Sequence, residues 1–82
     1  MIKLLFFGRL GELAGTAPKD IEFQTALTPL SVRESLTEDF PVLVAELSQP
    51  QVLVAVDQTI VNWEHPLQDE VELAFLPPVT GG

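Results

Sequence analysis

Apolar and polar positions alternate along most of this chain and fall into helical spacing in one middle stretch. Ile2 to Gly8 is a short apolar run rich in β-forming residues, interrupted by Gly8. Successive side chains of a strand point to opposite faces, so Ile2, Leu4 and Phe6 share one face and Lys3, Leu5 and Phe7 the other. Asp20-Ile21-Glu22-Phe23-Gln24 has the alternation of a half-buried strand. Gln51 to Val56 puts Val52, Val54 and Val56 on one side. After a turn at Asp57-Gln58-Thr59 comes a short strand, Ile60-Val61-Asn62-Trp63. In the last strand, Val71 to Leu76, the residues Val71, Leu73 and Phe75 alternate with Glu72, Ala74 and Leu76. Pro77-Pro78 then ends the ladder, because proline has no amide to donate.

Arg9 to Gly15 predicts a short helical turn closed by Gly15. The main helix starts at Thr28-Pro29, where Thr28 can cap free amides and Pro29 suits the first helical position. Ser31 with Glu34 offers a competing start as a capping box. Val32, Leu36 and Phe40 recur at i, i+4 on one face, and Pro41 ends or kinks the helix. Val42 to Leu47 continues helically before Pro50. One main helix against one sheet is an α+β arrangement. The periodicity does not say which strands are neighbours, and no internal repeat or linker interrupts the chain.

Composition narrows the function classes. Eighty-two residues, 46% hydrophobic and 20% charged, form one packed domain. There is no cysteine, so disulfides, thiolate metal sites and a cysteine nucleophile are excluded. The formal charge is −8, with Lys3, Arg9, Lys19 and Arg33 scattered among twelve acidic residues. Nucleic acid and anionic membranes are poor partners for such a chain, and a basic protein is a better one. No apolar run approaches the roughly 20 residues of a membrane span. Met1 to Phe7 is too short for a signal peptide, so a cytoplasmic location is expected.

The sequence closes on Pro77-Pro78-Val79-Thr80-Gly81-Gly82. The prolines stiffen the exit from the last strand, and six residues can reach about 20 Å at roughly 3.3 Å each. Two glycines add no side chains, so a terminal carboxylate could enter a channel too narrow for any other residue. A frayed end is the plain alternative. A carboxylate, ionised above about pH 3.5, is a poor electrophile. Activation as an acyl-adenylate by another enzyme, followed by attack of a sulfur donor, would leave a terminal thiocarboxylate. The division expected is a folded domain over residues 1–76 and an extended tail over 77–82.

If the first and last strands are neighbours, Phe7 and Leu76 form an apolar patch beside the root of the tail, and such patches mark partner surfaces. The other candidates point to structure. His65-Pro66 falls in a loop, and Gly8, Gly11 and Gly15 lack the Lys-Ser/Thr ending of a phosphate loop. Asp69, Glu70 and Glu72 lack calcium-loop spacing and make a solvated edge, while Trp63 is a half-buried packing residue. No self-contained catalytic site and no metal site emerges.

Three stretches resemble the family of the small, sulfur-carrying subunit of molybdopterin synthase. They are Ile2-Lys3-Leu4-Leu5-Phe6-Phe7, then Ala55-Val56-Asp57-Gln58-Thr59-Ile60-Val61 with His65-Pro66-Leu67, and finally Ala74-Phe75-Leu76-Pro77-Pro78-Val79-Thr80-Gly81-Gly82. The resemblance spans essentially the whole chain, with residues from about Thr16 to Pro50 matching only in pattern. It implies a ubiquitin-like β-grasp fold with the first and last strands parallel at the sheet centre. It implies adenylation of Gly82 by a ubiquitin-activating-like adenylyltransferase that uses ATP, conversion to a thiocarboxylate, and insertion into the large synthase subunit. Sulfur then passes to cyclic pyranopterin monophosphate to build the dithiolene, in a heterotetramer, with no cofactor bound to the carrier itself. Interface positions implied are Phe7, Ile60 and Leu76, with Pro77 at the root of a tail of Val79, Thr80, Gly81 and Gly82.

The chain departs from the family at Asp57, usually Asn, at Asp69-Glu70, commonly Asp-Gly, and at Leu76, often aromatic. The alternatives are a thiamine-pathway sulfur carrier, which is shorter and lacks the Leu-Pro-Pro-Val-Thr run, a ubiquitin-like modifier of lysines, and a plain binding module.

Overall fold

The computed structural model describes residues 1–78; Val79, Thr80, Gly81 and Gly82 lie outside the described residues. Its strands are β1 (Ile2–Phe6), β2 (Asp20–Ile21), β3 (Leu53–Val56), β4 (Thr59–Val61) and β5 (Glu72–Leu76). Its helices are α1 (Arg9–Ala14), α2 (Pro29–Ser35) and α3 (Pro41–Leu47). The sheet order is β2-β1-β5-β3-β4, with β1 and β5 parallel at the centre and the other pairings antiparallel. This is the expected α+β class, a ubiquitin-like β-grasp with a mixed sheet under helices.

Alternation assigned the faces of the central strands well. Ile2 and Leu4 on β1, Leu73 and Phe75 on β5, and Val52 and Val54 at β3 are buried beneath the helical layer. Phe75 is fully buried; Phe6 stacks on it at 5.0 Å and Trp63 tilts against it at 5.9 Å. Trp63 also carries the Arg33 guanidinium 4.6 Å above its ring, and its carbonyl accepts from Leu30 N–H at 2.8 Å, tying α2 to the sheet.

The helical layer is divided where the sequence left an end or a kink open. Thr28 caps α2: its hydroxyl accepts from Ser31 N–H at 3.1 Å, and Ser31 Oγ accepts from Thr28 N–H at 2.8 Å. Ser31 therefore closes the box rather than starting the helix. Pro41 cannot donate to a continuing helix and forces Phe40 off the α conformation, to φ −133° and ψ 59°, so α3 begins anew. All five strands are shorter than their alternation predicted, β1 ending at Phe6, β3 starting at Leu53 and β5 at Glu72. β2 ends at Ile21 because only Ile2 and Lys3 of β1 offer it partners, and β4 pairs from Thr59 to Val61, leaving Asn62 and Trp63 beyond the ladder.

The turns that depart from the family pattern take up left-handed backbone. Asp57 (φ 46°) and Gln58 (φ 71°) form the two-residue β3–β4 connection, both with the positive φ that a type I′ hairpin turn demands. Asp57 is held there by β5: its N–H donates to Glu72 O at 2.9 Å, and its Oδ1 accepts from Glu72 N–H at 2.9 Å. Before β5, Glu70 (φ 68°) donates its N–H to Asp69 Oδ1 at 2.9 Å and to Met1 O at 3.2 Å.

Candidate functional site

The core packed between the sheet and the helices is wholly apolar and offers no chemistry, whereas the outer sheet face leaves Phe7, Leu53 and Ile60 exposed. Register places Leu5 opposite Ala74, Ala74 opposite Ala55, and Ala55 opposite Ile60, a row that crosses four strands. The outer two are branched and the inner two are alanines, so the row is a trough. With Phe7, Leu76, Gln58 and Glu72 it encloses an open groove of about 460 Å³.

The ends of the groove differ chemically. At one end Glu72 lies opposite Lys3 and beside Asp57, a charged border. At the other, Phe7 stays in line with β5 by donating its N–H to Phe75 O at 3.1 Å, and Leu53 lies opposite Leu76. Phe7 is 46% exposed, Ile60 54% and Leu53 45%, large apolar side chains left in contact with water. Pro77 follows Leu76 directly, so the apolar end adjoins the place where the chain leaves the sheet.

That departure point has a support. The backbone turns from β1 into α1 through Phe7–Leu10, closed by Leu10 N–H to Phe7 O at 3.1 Å. Gly8, with φ 57° and ψ −136°, takes a conformation open to glycine and little else. A Cβ on Gly8 would stand 3.1 Å from Pro77 Cγ.

The structure thus brings together Phe7, Ile60, Leu76 and Pro77, which the sequence singled out; Val79, Thr80, Gly81 and Gly82 lie outside the described residues. Sequence reasoning missed Ala55 as the groove floor, Leu53 and Gln58 on its border, and Gly8 as the neighbour of Pro77. Ala55 was legible in part, as the small residue on the opposite face from Val52, Val54 and Val56. His65 is half-buried in its loop, its N–H donating to Asn62 O at 3.1 Å, away from the groove.

Among the described residues no group of three His, Cys, Asp or Glu side chains could hold a metal, and no helix is long and apolar enough to cross a membrane. The shifted titrations lie at the β5 entry. The Met1 ammonium sits 2.7 Å from Asp69 Oδ1. That hydrogen bond raises the amine above its ordinary 8.0 and lowers the Asp69 carboxyl below its ordinary 3.8.

Comparison with known proteins agrees with this architecture. The molybdopterin synthase sulfur carrier subunit of Escherichia coli (strain K12) is 39% identical over 84 residues, spanning 100% of both chains. The subunit of the same name from Haemophilus influenzae is 37% identical over 82 residues, again 100% of both. Among solved structures, SAMP1 from Haloferax volcanii has a TM-score of 0.76 at 21% identity, covering 99% of this chain and 98% of that one. The complex of subunits 1 and 2 of the molybdopterin-converting factor from Helicobacter pylori 26695 contains a chain with a TM-score of 0.60 at 21% identity, covering 99% and 97%. At those identities the two structures speak for the fold. The ThiS family matches residues 4–82, from the core of β1 to the final glycine, and the chain belongs to that family.

Proposed function

We propose that this chain is the sulfur carrier subunit of a molybdopterin synthase, loaded at the carboxylate of Gly82. One observation carries the reading: the exposed apolar groove reaches Leu76, the last residue of β5, directly before Pro77-Pro78. A surface that docks a partner is thereby joined to the segment that partner would receive. Relatives that carry this subunit's name over their whole length support the same reading.

In this reading residues 1–76 are the docking domain and residues 77–82 the delivered tail. The carboxylate of Gly82 attacks the α-phosphorus of ATP on an adenylyltransferase, expelling pyrophosphate. A sulfur nucleophile at the oxidation level of hydrosulfide then displaces AMP, leaving a thiocarboxylate. The charged tail, with Val79, Thr80 and Gly81 behind Gly82, enters the large synthase subunit, which supplies the catalytic groups. Sulfur passes there to cyclic pyranopterin monophosphate. Phe7, Ile60 and Leu76 dock the large subunit, with Pro77 at the margin. The carrier is a substrate-like subunit with no catalytic residue or cofactor of its own, and it works in the cytoplasm within a heterotetramer.

Reconstitution tests this. The chain bearing a C-terminal thiocarboxylate, mixed with the large subunit and cyclic pyranopterin monophosphate, should yield molybdopterin. A chain lacking Gly81-Gly82 should yield none although it still binds. Equal product from both would sink the proposal.

A further inference from the structure

We propose that Gly8 is a positioning residue: it forms the seat on which Pro77 rests and so sets the direction in which the C-terminal segment leaves the sheet. The inference rests on the carrier reading above and adds a residue outside the tail and the groove. Three observations carry it. The Phe7–Leu10 turn, closed by its 3.1 Å hydrogen bond, puts the Gly8 backbone at the end of β1 beside the end of β5. The Gly8 φ of 57° with ψ −136° is a conformation that an L side chain adopts only under strain. A Cβ at this position would stand 3.1 Å from Pro77 Cγ, tighter than ordinary van der Waals contact. The absent side chain therefore lets the proline ring close onto the turn. Pro77 has a fixed φ and Pro78 after it restricts its ψ to extended values, so a ring held by Gly8 sets the heading of the backbone as far as Pro78.

Gly15 separates this role from plain backbone strain. Its φ of 51° is as unfavourable to a side chain as that of Gly8, yet a Cβ there meets nothing within 4 Å. Gly8→Ala should thus lose at least as much thermal stability as Gly15→Ala, and only Gly8→Ala disturbs Pro77.

The measurement is ATP–pyrophosphate exchange by the adenylyltransferase of the same organism, with the full chain as substrate. Docking governs KM, and arrival of the terminal carboxylate at ATP governs kcat. Gly8→Ala should lower kcat by about ten- to a hundredfold, the scale of a misplaced reacting group, with KM changed less than about twofold. Gly15→Ala should match the unmodified chain. Equal kcat in Gly8→Ala and Gly15→Ala overturns the inference while leaving the carrier reading intact. No exchange with the unmodified chain overturns the carrier reading itself. Should Gly8→Ala fail to fold, the unmodified chain still decides. A nuclear Overhauser effect between a Gly8 Hα and the Pro77 γ protons is expected, with a reduced kcat for Pro77→Ala. Absence of that effect, or an unchanged kcat in Pro77→Ala, overturns the proposal.

Discussion

Ala55 and Ala74 lie directly opposite each other across the β3–β5 ladder, and their methyl groups floor the groove walled by Leu5 and Ile60. A larger side chain at either position points into the groove rather than into the core under the helices. Ala55→Leu should therefore fill the trough and weaken binding of the large synthase subunit by at least about tenfold, or ~1.4 kcal/mol. The melting temperature should move by only a few degrees. Calorimetric titration of the variant checks this; unchanged affinity would remove the groove from the docking surface.

The two faces of β1 and β5 predict opposite phenotypes for two phenylalanines. Phe75 is fully buried between Phe6 and Trp63, and its truncation to Ala should cost about 3–5 kcal/mol, a large share of the roughly 5–15 kcal/mol available to a small domain. Phe7 is half-exposed on the outer face, so Phe7→Ala should stay within about 0.5 kcal/mol of the parent in stability. Its effect should fall on partner affinity, with a loss of about 2 kcal/mol for an aromatic anchor. Urea denaturation and binding measured on the same two proteins separate the outcomes.

The β3–β4 turn stores strain that a glycine can relieve. A non-glycine residue in left-handed backbone carries roughly 1–2 kcal/mol, and Gln58 sits there with φ 71°. Gln58→Gly removes that strain at a loss of roughly 0.5–1 kcal/mol in unfolded-state entropy, so a net gain of about 0.5–1 kcal/mol is expected. Asp57→Ala should act the other way, because it removes the carboxylate that accepts from Glu72 N–H. Chemical denaturation of both variants reads the signs directly.

The Met1–Asp69 pair has a calculable pH window. The Asp69 carboxyl is lowered by the hydrogen bond from the Met1 ammonium, so its contribution is present above 3.8 and lost as pH falls through the lower folded value. The Met1 ammonium is raised by the same bond, so its contribution is present below 8.0 and lost as pH rises through the higher folded value. Both groups are solvent-exposed, and the pair adds little to stability. In Asp69→Asn the Met1 amine should titrate back toward 8.0, a change visible by NMR. An unshifted amine in the parent chain would contradict the contact.

The faces of the strands were legible because a two-residue period survives wherever one side is buried and the other is not. Ile2, Leu4, Leu73, Phe75, Val52 and Val54 follow it, and so does the outward position of Phe7. The division of the helical layer was only partly legible. Val42 to Leu47 suited a helix, but the sequence did not show that Pro41 opens a separate one, since that depends on the backbone of Phe40. The groove floor was harder still. Alanine carries no strong pattern, and Ala55 and Ala74 acquire meaning only through a register that joins residues far apart in sequence. Gly8 and Pro77 meet for the same reason, and no local rule brings them together.

Intact-mass spectrometry tests whether Gly82 carries sulfur. The chain is incubated with its adenylyltransferase, ATP and a sulfur source, then fragmented. The expected result is a rise equal to the replacement of one oxygen by sulfur, localised to Gly82. An unchanged mass, or covalent attachment of Gly82 to lysines of other proteins, would contradict it.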